Sequence, residues 1–184
     1  MLKNISSWLL YKVMGWSVEV SVEFPQKYII CIAPHTSNWD FIIGQLYNQA
    51  TGLGSNFLMK KEWFVGPLGW CFRRLGGIPV NRSKKTSMTD QLAQYAIQSD
   101  SFKLAITPEG TRSLNPDWKK GFYFIALKAQ IPILLCAIDY PTKRIVCTKT
   151  ILPSGDLDKD MTEIKCYYKD FKGKHPHLFS IGEI

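Results

Sequence analysis

From Lys27 to about residue 140 the chain alternates short apolar runs with segments of helical period, and this alternation limits the possible folds more than any other feature. Lys27 to Ala33, Phe102 to Thr107 and Ile131 to Ile138 read as strands buried on both faces. Helical periodicity runs from about Ser37 through Tyr47, Pro67 to Leu75, Thr86 to Gln98 and Trp118 to Gln130, with Asn56 to Met59 and Ile78-Pro79-Val80 as further short strands. Val18 to Phe24 alternates with period two like a half-buried strand, and Arg144 to Ile151 looks like the partner of Ile131 to Ile138. The expected fold is α/β: a mainly parallel or mixed central sheet flanked by helices, with functional groups at the carboxyl ends of strands.

With 184 residues there is room for one well-packed domain, expected over 1–184, with its motif-bearing core at 27–140. Apolar residues at 46% against 21% charged exclude long disorder. The longest apolar runs, such as Ile29 to Ala33, fall far short of the roughly 18 to 20 residues of a spanning helix. The N-terminus lacks a long apolar core followed by a small-residue cleavage site and reads as mature sequence. Five scattered cysteines without a Cys-x-x-Cys pair point to a reduced compartment and to no zinc or disulfide framework. His175-Pro176-His177 reads as a solvated pair, so no metal is expected.

The net charge of +8 is concentrated, with six of its eight units between Lys60 and Lys85. Trp63, Phe64, Leu68, Trp70 and Phe72 are interleaved there with Lys60, Lys61, Arg73, Arg74, Arg82, Lys84 and Lys85. Such a stretch suits a phosphate-bearing partner, namely an anionic membrane surface, an acidic carrier protein or nucleic acid, and equally describes a solvated face over an ordinary core. Residues 1–16 offer a second candidate surface: Ile5, Trp8, Leu9, Val13 and Trp16 form an approximate helical stripe flanked by Lys3 and Lys12, as in an interfacial helix or in one packed into the core.

Two strand-following segments carry groups suited to chemistry. In Pro34-His35-Thr36-Ser37-Asn38-Trp39-Asp40, residues 35 and 40 would diverge on a continuous helix. If Ser37 caps a helix and His35 precedes it in a loop, Asp40 in the first turn reaches back to the imidazole. An imidazole oriented by a carboxylate is suited to act as a general base. Ser37-x-x-Asp40 also fits a plain capping box, with His35 a satisfied loop histidine. In Thr107-Pro108-Glu109-Gly110-Thr111-Arg112-Ser113, Gly110 permits close backbone approach and Arg112 supplies a planar fork for phosphate. Gly77 to Arg82 ends a short strand with another arginine.

In order and separation, His35-x4-Asp40, Gly77 to Arg82, Pro108-Glu109-Gly110-Thr111-Arg112 and Ile131-Pro132-Ile133 resemble the four blocks of the glycerolipid acyltransferase family, best known for the 1-acylglycerol-3-phosphate O-acyltransferases. The resemblance implies acyl transfer from a fatty acyl thioester, acyl-CoA or acyl-carrier protein, to a lysolipid hydroxyl without an acyl-enzyme. It implies His35 as general base and Asp40 as its orienting partner. Arg82, Glu109, Gly110, Thr111 and Arg112 would bind the acceptor and its phosphate, Lys60 would lie beside the site, and Pro132 would help shape the acyl pocket. No cofactor is implied beyond the acyl co-substrate, and no nucleic acid. The expected place is cytoplasmic, peripheral on the inner face of the cell membrane. The family usually has Asn where Pro34 stands and often Asp where Asn81 stands, which touches the headgroup site more than the base. Acylation of a different lipid hydroxyl, and a basic lipid- or nucleic-acid-binding protein on a degenerate enzyme fold, are the competing readings.

Overall fold

A computed structural model describes residues 2–80 and 88–183. Asn81, Arg82, Lys84 and Lys85 lie outside the described residues. Among the described residues seven strands make one sheet: β1 (Ser17–Val20), β2 (Lys27–Ala33), β3 (Asn56–Lys60), β4 (Gly77–Val80), β5 (Phe102–Ile106), β6 (Ile133–Asp139) and β7 (Arg144–Ile151). Their spatial order is β1-β7-β6-β2-β5-β3-β4. The block β6-β2-β5-β3-β4 is parallel, whereas β7 pairs antiparallel with β6 and parallel with β1, so the sheet is mixed.

The helices are α1 (Leu2–Ser7), continued by a π-helical turn over Trp8–Val13, then α2 (Asn38–Thr51), α3 (Gly66–Arg74), α4 (Met88–Gln98), α5 (Gly121–Ala129) and α6 (Leu157–Tyr168). Strand β2 is apolar throughout because both its faces are covered. Ile29, Cys31 and Ala33 join a core built with α4, α5 and α6, while Tyr28 and Ile30 turn to the opposite core with Ile43 and Tyr47 of α2.

Three expectations need correction. The strand expected over Val18 to Phe24 stops at Val20, because only β7 borders it and the last ladder bond runs from Ser21 N–H to the Cys147 carbonyl. Trp118 is not helical; it is buried in the loop before α5, with its indole N–H donating to the Ser180 carbonyl at 2.9 Å. The N-terminal stripe is split: Ile5, Trp8 and Val13 are exposed, whereas Trp16 is core, as is Leu10. The reason is docking onto α2, where the Ser6 hydroxyl donates to Gln49 Oε1 at 3.0 Å, and onto the end of β6, where Trp16 meets Tyr140 edge-on.

Candidate active site

The carboxyl end of β2 delivers Pro34 and His35 directly to the start of α2. Ser37 sits in extended conformation as the N-cap, its hydroxyl accepting from Trp39 N–H at 3.2 Å, and Asp40 closes the capping box by accepting from Ser37 N–H at 2.8 Å. The same carboxylate oxygen, Oδ2, accepts from Thr36 N–H at 2.8 Å and lies 3.1 Å from His35 Nδ1. Capping and orientation are therefore one arrangement, and the two readings of Ser37-x-x-Asp40 do not compete.

Burial alone would raise the Asp40 pKa, but hydrogen bonds from His35, from the Tyr140 hydroxyl and from Ser37 N–H outweigh it and hold the carboxyl below its ordinary range. An ionised Asp40 has only acceptors, so His35 Nδ1 carries the hydrogen of this contact and Nε2 is the ring nitrogen left for proton exchange. Among the described residues nothing in the chain bonds Nε2, and the imidazole is partly open to solvent. That is the geometry a base needs.

The loop after β5 supports the histidine from behind. Glu109 is buried, and its Oε1 accepts the His35 backbone N–H at 2.7 Å. Its Oε2 is buried without a partner among the described residues. Burial, only partly offset by the His35 bond, raises the Glu109 pKa from 4.5 to about 7. Asn115, which sequence reasoning missed, closes this loop by donating to the Glu109 carbonyl at 2.8 Å. Gly110 has φ +66, and a Cβ there would come within 3.1 Å of Lys119 Cγ. Thr111 and Arg112 are exposed at the loop surface.

Lys60 closes β3 at the carboxyl end of the parallel block, as His35 and Glu109 follow β2 and β5. Pro132 is placed elsewhere. It precedes β6, whose Ile133 pairs with Ile29, so it lies about five strand residues, roughly 16 Å, from the level of Ala33. The structure does not bring Pro132 to His35, because a residue entering a parallel strand sits at the opposite end from one leaving its neighbour. Two contributors were not anticipated. Tyr140, directly after β6, donates to Asp40 Oδ1 at 2.6 Å, and a residue following a strand was identifiable by the same rule that singled out His35. The C-terminal segment backs the loop, with Thr36 Oγ1 accepting from His175 N–H at 3.1 Å; a Cβ on Gly173 would sit 2.6 Å from that oxygen.

His35, on the loop leaving β2, and Asp40, in the first turn of α2, thus meet at the carboxyl end of the parallel block of an α/β fold. Residues 17–139 match the Acyltransferase family profile, and the chain belongs to that family. It is 33% identical over 83 residues to the human 1-acyl-sn-glycerol-3-phosphate acyltransferase beta, covering 42% of this chain and 30% of that protein. It is 26% identical over 173 residues to the acl-1 protein of Caenorhabditis elegans, named after the same activity, covering 82% of this chain and 65% of that one. The chain thus spans less than two thirds of the length of these relatives. The fold is that of the 1-acyl-sn-glycerophosphate acyltransferase PlsC from Thermotoga maritima, with a TM-score of 0.61 at 16% identity, over 94% of this chain and 80% of that one.

Proposed function

We propose that this chain, as a single domain, transfers a fatty acyl group from a thioester, acyl-CoA or acyl-carrier protein, to the free hydroxyl of a lysophospholipid such as 1-acylglycerol-3-phosphate. The observation that carries this reading is the His35–Asp40 pair, with Nδ1 held by an ionised carboxylate and Nε2 without a partner among the described residues. As the acceptor oxygen attacks the thioester carbonyl, its proton passes to Nε2 and the imidazolium is stabilised by Asp40. The tetrahedral intermediate then collapses, the carbon–sulfur bond breaks, and the proton on Nε2 goes to the departing thiolate. Glu109 contributes by holding the His35 main chain. Arg112, exposed on the loop that carries Glu109, and Arg82 are assigned to the acceptor phosphate, Gly110 and Thr111 to the approach, and Lys60, which ends β3, to the developing charge.

The acceptor is collected at a membrane, where the chain sits peripherally on the inner face. No described helix is long and apolar enough to cross a bilayer. Exposed Trp8, Val13, Trp63, Leu68 and Trp70, beside Lys12, Arg73 and Arg74, supply the mixed apolar and basic surface that interfacial attachment needs. Incubation with acyl-CoA or acyl-carrier protein and a panel of lysolipids, with products identified by mass spectrometry, tests the reading. Diacyl product is expected with a phosphate-bearing acceptor; no product from any pairing overturns it.

A further inference from the structure

We infer that Tyr140 is a positioning residue for the His35–Asp40 base, an assignment that rests on the acyl-transfer reading. The two oxygens of the Asp40 carboxylate are held unequally. Oδ2 faces three donors, His35 Nδ1 at 3.1 Å and the main-chain N–H groups of Thr36 and Ser37 at 2.8 Å each. Oδ1 has one partner among the described residues, the Tyr140 hydroxyl at 2.6 Å.

With Asp40 almost wholly buried, an Oδ1 without its donor would be an unpaired ionised oxygen. The carboxylate would relieve this by turning Oδ1 toward the main-chain donors, which draws Oδ2 away from Nδ1. Tyr140 prevents that rotation and is itself fixed. Its backbone N–H donates to the Lys172 carbonyl at 3.0 Å, and its ring stands edge-on to Trp16 at 5.2 Å. Burial and the adjacent carboxylate push the phenol pKa up, so it stays a donor.

Tyr140→Phe keeps the ring on Trp16 and removes only the hydroxyl. Turnover of a detergent-dispersed lysolipid with acyl-CoA should fall about tenfold, with both KM values within twofold of wild type. In Asp40→Asn, adding Tyr140→Phe should cost less than twofold further, since there is no carboxylate left to orient. Unchanged turnover in Tyr140→Phe, or full multiplication of the two losses, would overturn the assignment.

A readout independent of turnover separates this from failure of the functional reading. In ¹⁵N spectra of the chain's three histidines, Tyr140→Phe should speed exchange of the His35 Nδ1 proton about tenfold or more. An unchanged exchange rate contradicts the positioning role even if wild type makes no acylated product.

Discussion

The loop from Pro34 to Asp40 and the segment from Lys61 to Leu75 both begin where a parallel strand ends, yet they are held in opposite ways. In the first, one buried carboxylate collects four donors, and Glu109 ties down the main chain of the histidine. In the second, Trp63, Val65, Leu68 and Trp70 are each at least half exposed, and Arg73 and Arg74 lie over the Phe64 and Trp70 rings at 5.5 and 5.2 Å. One inward point fixes that segment: a Cβ on Gly69 would fall 2.3 Å from the Phe64 main chain, so α3 can sit against Phe64 only with glycine there. Under the proposed function the difference separates tasks. A base must be held to within tenths of an ångström, whereas a surface that meets a membrane needs area and charge rather than a fixed partner.

Substitutions in the first region should therefore act on turnover, and those in the second on partitioning. Short of removing the imidazole itself, Asp40→Asn should be the harshest, lowering kcat by about 10² to 10³-fold through loss of orientation. It should also cost about 1 kcal/mol or more in thermal melts, because the capping box goes with it. Loss of stability with unchanged kcat would reduce Asp40 to a cap.

Glu109 predicts an effect of pH on stability. Its folded pKa, about 7, lies above the unfolded value near 4.5, so the native state binds more protons between them and stability falls as pH rises through that window. The contribution is on the order of 3 kcal/mol. Glu109→Gln, which can still accept the His35 N–H, should remove this fall between about pH 5 and 8 in denaturant titrations. An identical decline in both proteins would show that Glu109 is not the group responsible.

Next in size, Arg112→Ala should raise the acceptor KM about tenfold even at high salt, with the donor KM little changed, as expected for a lost charge-assisted contact. A change in donor KM alone would move Arg112 out of the acceptor site. Smallest of all, Trp70→Ala should weaken binding to anionic vesicles a few-fold while leaving turnover on a detergent-dispersed acceptor unaltered. Reduced turnover in detergent would instead make α3 part of the site and blur the contrast between the two regions.

Much of this was legible in the sequence because it depends on period and spacing. The runs Lys27 to Ala33 and Arg144 to Ile151 coincide with β2 and β7, and the capping signal at Ser37 places His35 and Asp40 within reach of each other. What escaped depends on register between distant strands. Pro132 enters its strand at the end opposite His35, and although the place of Tyr140 after a strand could be read, its bond to Asp40 across 100 residues could not. The stripe of Met161, Ile164 and Tyr168 on α6 did have helical spacing and could have been read. The burial of Trp16 could not, because an amphipathic stripe looks the same whether it faces a bilayer or a neighbouring helix.

The most direct test of the account compares wild type with His35→Ala for diacyl product formed from acyl-CoA or acyl-carrier protein and 1-acylglycerol-3-phosphate, quantified by mass spectrometry on protein shown by circular dichroism to be folded. The account predicts product with wild type and a rate lower by about 10² to 10⁴-fold with the variant. Near-wild-type product formation by folded His35→Ala would contradict it.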